Sequence, residues 1–137
     1  MKFTLNHIGM AVPSIERFLA EMGPLYSAFA QGPMIENARQ RVREMFLAQG
    51  GTRIELLEPM GHPSPLDSFL KRHPRGTFVH IAFEVDDLDK ALEELGATGA
   101  GIVLEPTPDV AFEERRIAFV VLGGQLVELI EQPQARK

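Results

Sequence analysis

The chain has 137 residues, a net charge of −5, 45% hydrophobic and 24% charged residues, and no cysteine. Its length supports one domain with a sizeable core. The acidic balance argues against a binder of nucleic-acid backbones, and the lack of cysteine excludes thiolate catalysis, disulfides and cysteine-based zinc sites. Residues 1–7 are too short and polar for a signal peptide, and no apolar run approaches the roughly 20 residues that span a bilayer. We expect a cytoplasmic enzyme or binding protein with no nucleic-acid or membrane partner.

The first half of the chain predicts a strand, a helix and a hairpin. The strand covers residues 3–12, and Ser14 caps a helix that ends at Gly23-Pro24. Residues 25–38 show no clear pattern, so the second strand of this half is not defined. A hairpin follows over residues 39–58 and turns at Gly50-Gly51.

The second half predicts the same order of elements. A linker over residues 60–75 contains a short helix with Ser64 as its cap and Pro65 at its first position. A strand over 77–85, a helix from an Asp86 or Asp87 cap to Leu95, a short strand at 102–104 and a hairpin at 114–130 follow. We therefore predict one domain over 1–137, with βαβββ modules at 3–59 and 76–132.

Two histidines and two glutamates share one spacing. His7 and His80 are 73 residues apart (80 − 7), and so are Glu55 and Glu128 (128 − 55). Residues 45–59 align without a gap against residues 118–132, and both copies place Gly-Gly before the glutamate. Such an internal repeat indicates two copies of one small unit, each supplying one His and one Glu. Two His and two carboxylates are a plausible ligand set for a divalent metal.

Strand alternation places each glutamate in apolar surroundings. Glu55 shares one face with Leu57, while its two neighbours in the chain point to the other face. An isolated carboxylate there would be costly, so it is paired, protonated or metal-bound. The alternative is that all four residues are ordinary polar residues on the solvated face of the strands. The remaining histidines, His62 and His73, are expected to be exposed loop residues.

Five segments resemble one family. They are Leu5–Val12, Ile54–Pro59, Ser64–Leu66, His80–Leu88 and Leu126–Leu129. Together they are similar to the vicinal oxygen chelate (glyoxalase/bleomycin resistance/dioxygenase) superfamily, in its methylmalonyl-CoA epimerase-like branch, over about residues 4–132. The resemblance implies an α+β fold in which two paired βαβββ modules form an open, cupped mixed sheet with flanking helices. Homodimers are common on this fold.

The resemblance also implies a metal site and an activity. Its ligand positions fall on His7, Glu55, His80 and Glu128, which would hold Co, Ni, Zn or Mn. The implied activity is epimerisation of an acyl-CoA thioester through a metal-chelated enediolate, with Glu128 as one acid/base. Glu44 is the candidate for the second, with a solvated strand residue as the alternative reading.

Two other functions stay open at this stage. A glyoxalase I-like lyase would use the same ligands on a glutathione adduct, and a resistance-type protein would only bind its small molecule. Arg115-Arg116 and Lys71-Arg72 could meet CoA phosphates or be surface charges. The segments that would choose the substrate, residues 23–40 and 106–114, are the least typical of the family.

Overall fold

A computed structural model describes residues 1–133, which form three α-helices, nine strands and one 3₁₀ turn. The helices are α1 (Ile15–Tyr26), α2 (Asp67–Arg72) and α3 (Leu88–Ala97). The strands are β1 (Thr4–Ala11), β2 (Ala30–Gln31), β3 (Ile35–Asn37), β4 (Val42–Gln49), β5 (Thr52–Pro59), β6 (Thr77–Val85), β7 (Gly101–Asp109), β8 (Arg115–Leu122) and β9 (Gln125–Glu131). Parallel and antiparallel strand pairs both occur within each half of the chain, which confirms the predicted α+β class.

The chain divides into two compact units. One contains residues 7–79, and the other contains residues 1–6 together with residues 80 onward. In the 7–79 unit the strand order is β2-β4-β5-β1, with β3 also paired to β4. In the other unit the order is β6-β9-β8-β7. The predicted module bounds of 3–59 and 76–132 remain a prediction.

The two units repeat one pattern of strand pairing. In the first, β1 runs parallel to β5, which forms an antiparallel hairpin with β4. In the second, β6 runs parallel to β9, which forms a hairpin with β8. Both hairpins turn at glycines with positive φ, including Gly50 (57°) and Gly123 (60°), a conformation that side chains with a Cβ adopt at a cost. The βαβββ order is therefore confirmed.

The second strand of the first unit is broken, which explains why its sequence shows no pattern. It consists of the short β2 and β3, on either side of Gly32-Pro33. Pro33 has no N–H to give to a strand ladder. In the second unit the corresponding strand, β7, is longer than predicted and reaches Asp109 despite two prolines. It lies at the end of its unit's strand order, where a missing N–H is tolerated.

Helix α1 is longer than predicted. Ser14 caps it as expected, accepting the N–H of Arg17 at 3.2 Å. The predicted end at Gly23-Pro24 is wrong, because the helix continues to Tyr26. The tyrosine ring lies 5.4 Å from the ring of Phe18 and 5.3 Å from that of Phe29, between centroids. These aromatic contacts offset the hydrogen bond that Pro24 removes.

The predicted cap of the short helix is also wrong. Helix α2 begins at Asp67, after an N-cap residue, Leu66, whose side chain makes no capping bond. Ser64 instead closes the turn before the helix, where its hydroxyl accepts the N–H of Leu66 at 3.2 Å. The Asp67 carboxylate accepts the N–H of Ser64 at 2.8 Å. This bond is the main reason that the pKa of Asp67 lies below its usual value.

Each helix covers an apolar face of its own unit. One cluster under α1 contains Val12, Ile15, Leu47 and Leu56. A second, under α2, contains Ala11, Val42, Leu57, Leu66 and Val79. The third, under α3, contains Val85, Leu88, Ala91, Ala118, Val120, Val127 and Leu129. Leu56 and Leu57 thus face opposite clusters, as strand alternation predicts.

The start of each long helix is anchored by an equivalent glutamate. Glu58 accepts the N–H of Ile15 at 3.0 Å, and Glu131 accepts the N–H of Leu88 at 3.0 Å. Both glutamates also meet an arginine of the adjacent hairpin strand, and the Glu131–Arg116 contact is the shorter, at 2.8 Å. A carboxylate at a helix N-terminus satisfies a free donor and complements the helix dipole.

We expect Glu131→Gln to lower the free energy of unfolding by about 1–3 kcal/mol at neutral pH, the usual cost of a charge-assisted hydrogen bond. Arg116 and the Leu88 N–H hold the pKa of Glu131 below its ordinary value. The carboxylate therefore stabilises the fold above that ordinary pKa, and the difference between wild type and variant shrinks as pH falls below about 4.3. Urea unfolding at pH 7 and pH 3.5 measures both effects.

The equivalent substitution, Glu58→Gln, is the matched control. Glu58 holds a helix N-terminus in the same way, but its arginine contact is longer, at 3.4 Å. We expect a smaller loss of stability. A larger loss at Glu58, or no pH dependence at Glu131, would contradict this account.

None of the helices within residues 1–133 is long and apolar enough to cross a membrane. The expected cytoplasmic location and the homodimer remain predictions.

Candidate metal and proton-transfer site

His7 and Glu55 form a buried pair in the 7–79 unit. His7 lies on β1 and Glu55 on β5, where the parallel register sets Gly9 beside Glu55. The His7 Nε2 atom is 3.3 Å from Glu55 Oε1. The two residues are 1% and 2% exposed. The alternative of a solvated strand face is therefore wrong for this pair.

His80 and Glu128 form the corresponding pair in the other unit. His80 lies on β6 and Glu128 on β9, where the parallel register sets Ala82 beside Glu128. The His80 Nε2 atom is 3.5 Å from Glu128 Oε1, and the residues are 8% and 3% exposed. Because Gly9 and Ala82 occupy equivalent positions, the repeat in sequence is a repeat in geometry.

A phenylalanine completes each pair, and neither phenylalanine was predicted to belong to the site. Phe46 lies opposite Glu55, and its ring meets the His7 ring edge-on at 5.3 Å and 84°. Phe119 lies opposite Glu128 and meets the His80 ring at 5.5 Å and 79°. Edge-on contact restrains an imidazole and excludes water beside it. The sequence does contain a signal for them, because the two phenylalanines share the 73-residue spacing of the repeat (119 − 46).

The four side chains have the chemistry of divalent-metal ligands. Each is buried and offers an imidazole nitrogen or a carboxylate oxygen. Buried carboxylates require a compensating charge, and a metal ion supplies one. Neutral imidazole and carboxylate suit Zn, Co, Ni or Mn. Each unit contains one such pair.

Glu44 lies on the same face of its sheet as Glu55. On the β4–β5 hairpin Glu44 is opposite Leu57, two positions from Glu55, so the side chains share a face. Glu44 is 3% exposed and accepts a hydrogen bond from Asn37 at 3.0 Å. The alternative of a solvated strand residue is therefore wrong. Its role as an acid/base remains a prediction.

The other candidate residues are exposed or form contacts within the protein. His62 and His73 are exposed, as expected, and His62 pairs with Asp67 at 2.8 Å. Arg115 donates to Glu84 and to backbone carbonyls, while Arg116 donates to Glu131 and Asp89. Both arginines form hydrogen bonds within the protein, which makes them weaker candidates for binding CoA phosphates.

The model of the Glyoxalase/Bleomycin resistance protein/Dioxygenase superfamily matches residues 6–119. The chain belongs to this superfamily. Two relatives place it in the epimerase-like branch. It is 33% identical to the mitochondrial methylmalonyl-CoA epimerase of Dictyostelium discoideum, covering 93% of this chain and 78% of that protein. It is also 33% identical to an ethylmalonyl-CoA/methylmalonyl-CoA epimerase of Cereibacter sphaeroides, covering 91% and 95%.

Solved structures of the superfamily agree with this assignment. The methylmalonyl-CoA epimerase of Mycobacterium tuberculosis superposes with a TM-score of 0.81 at 27% identity, covering 96% of this chain and 89% of that one. A methylmalonyl-CoA epimerase in complex with methylmalonyl-CoA and NH4+ superposes with a TM-score of 0.78 at 26% identity, covering 96% and 95%. The protein is thus an enzyme of the isomerase class with the fold of this superfamily.

Proposed function

We propose that the protein is a metal-dependent epimerase of a 2-substituted malonyl-type acyl-CoA thioester, similar to methylmalonyl-CoA epimerase. The observation that carries the proposal is the repeated, buried His–Glu pair, in a chain whose relatives bear epimerase names. A substrate of this kind offers two oxygens, one from the thioester carbonyl and one from the carboxylate.

We propose that His7, Glu55, His80 and Glu128 together hold one divalent ion. The repeat supports this grouping, because both halves keep the same donors, the same strand register and the same phenylalanine. Their burial supports it too, since carboxylates are rarely left buried without a counter-charge. A bound divalent ion would supply Lewis-acid stabilisation of the negative charge that develops on the substrate oxygens.

The chain's own side chains would move the proton. The α-hydrogen of such a substrate is acidic because two carbonyl groups flank its carbon. Inversion requires that a base remove this proton from one side and that an acid return a proton on the other side. We assign these roles to Glu128 and Glu44, and each transfer typically contributes 10²–10⁴-fold to the rate. One turnover leaves the base protonated and the acid ionised, and proton exchange with water returns both carboxylates to their starting states.

Glu44 suits the second role for two reasons. It lies on the same face as Glu55, and it is buried, so bulk water would not compete with the substrate for its carboxylate. The equivalent position in the second half is Ile117, which is apolar and buried. The repeat therefore keeps the proposed ligands in both halves, while it places this extra carboxylate in one half alone.

The proposal is tested by assaying metal-loaded protein against two substrates side by side. We expect epimerisation of methylmalonyl-CoA and no turnover of the methylglyoxal–glutathione adduct. Turnover of the glutathione adduct alone would replace the proposal with a glyoxalase I-like lyase. Tight binding of either compound without turnover would replace it with a binding protein.

A further inference from the structure

Asn37 is a buried amide next to the proposed acid/base. It is the last residue of β3, which pairs with β4 so that Ile35 lies opposite Glu44 and Asn37 opposite Val42. Asn37 is 1% exposed. A buried amide needs partners for its donors and its acceptor, and those partners show what it does.

Two contacts orient the Asn37 amide. Its Oδ1 atom accepts the backbone N–H of Gln40 at 3.2 Å, and its Nδ2 atom donates to Glu44 Oε1 at 3.0 Å. A backbone N–H can only donate, so the atom facing Gln40 must be the amide oxygen. The N–H₂ group is consequently directed at the Glu44 carboxylate.

We propose that Asn37 is the positioning residue for Glu44 in proton transfer. This inference rests on the proposed function. A fixed N–H donor on one carboxylate oxygen restricts rotation of the carboxyl group and favours its ionised form, which a base needs. Displacement of a reacting group by about 1 Å can cost on the order of 100-fold in rate, so a lost restraint should be measurable.

The repeat argues that this pair is not needed to build the hairpin. The strand register aligns Asn37, which lies opposite Val42, with Asp109, which lies opposite Arg115, whereas the equivalent of Glu44 is Ile117 (44 + 73). The β8–β9 hairpin forms around the apolar Ile117. By contrast, the glutamates that anchor helices and the His–Glu–Phe groups occur in both halves. The Glu44 carboxylate, which accepts the Asn37 N–H, is therefore an addition to the common framework.

Initial rates of deuterium incorporation in D₂O, measured separately from each enantiomer of methylmalonyl-CoA, test the inference. Glu44→Gln identifies the enantiomer whose proton Glu44 removes. Asn37→Asp keeps an oxygen for the Gln40 N–H but places a carboxylate against Glu44. We expect it to slow exchange of that enantiomer by about 10- to 100-fold, and exchange of the other by less than about 3-fold. A merely structural role would slow both enantiomers equally.

A second variant keeps the test decisive if Asn37→Asp folds poorly. Asn37→Ser removes the amide donor without adding a charge, and it should show the same preference for one enantiomer. In the Glu44→Gln background either substitution should leave the residual exchange unchanged, because Asn37 acts through Glu44. Equal slowing of both enantiomers, or no slowing, would overturn the inference alone. Absence of exchange in the metal-loaded wild type would overturn the proposed function and this inference with it.

Discussion

Glu128→Gln is expected to reduce deuterium exchange by about 10²–10⁴-fold for the enantiomer of methylmalonyl-CoA whose α-proton Glu128 removes, the usual contribution of a general acid or base. The amide is close in shape to the carboxylate and keeps an oxygen that can serve as a ligand. It cannot accept the α-proton. Exchange into each enantiomer, followed by NMR on metal-loaded protein, measures the loss.

Glu55→Gln is the matched control for this prediction. Glu55 occupies the equivalent position, contacts His7 as Glu128 contacts His80, and is equally buried. Its proposed role is limited to holding the ion, and the amide keeps an oxygen for that ion, so this variant should cost about 10- to 100-fold at most. If both variants lose exchange to the same extent, Glu128 is a ligand without a proton-transfer role. Full exchange in Glu128→Gln would remove it from the mechanism altogether.

His80→Ala is expected to weaken binding of a divalent ion by more than about 100-fold. Even the loss of a residue that only hydrogen-bonds to a metal ligand typically lowers the affinity for the metal by about 10–100-fold. His7→Ala should behave in the same way, since the two imidazoles are equivalent by repeat, burial and strand position. Titration of untagged protein with Co²⁺, followed by its absorption spectrum and by thermal unfolding, measures the effect. A bound ion should raise the wild-type Tm, and neither variant should respond.

His73→Ala controls for the loss of a histidine as such. His73 is exposed and follows α2. This variant should bind Co²⁺ as the wild type does. Equal binding by wild type and His80→Ala would show that the ion lies elsewhere.

The repeat and strand alternation were enough to predict the framework of the fold and the His–Glu pairs. The spacing of 73 residues relates His7 to His80, and a strand period of two puts Glu55 on the opposite face from Leu56. Both features can be recognised from the order of residue types along the chain, without knowledge of any contact. The structure then shows that each histidine lies close to its own glutamate, within its own unit.

The features that were missed depend on side-chain and strand contacts that the residue pattern of a single segment does not show. The last turn of α1 persists because Tyr26 packs between Phe18 and Phe29, which a reading of Gly23-Pro24 alone does not reveal. The broken second strand of the first unit lacks enough residues on either side of Pro33 to show alternation. The burial of Glu44 and its bond from Asn37 require the β3–β4 pairing, which the sequence did not indicate.

The central claim is that the His–Glu pairs hold a divalent ion and that epimerisation of an acyl-CoA thioester depends on this ion. Deuterium incorporation into methylmalonyl-CoA by chelator-treated protein, before and after one equivalent of Co²⁺, tests it most directly. We expect no incorporation before addition and incorporation into both enantiomers afterwards, with no recovery in His80→Ala. Undiminished incorporation by the metal-free protein, or none with Co²⁺, Ni²⁺, Zn²⁺ or Mn²⁺, would contradict the claim.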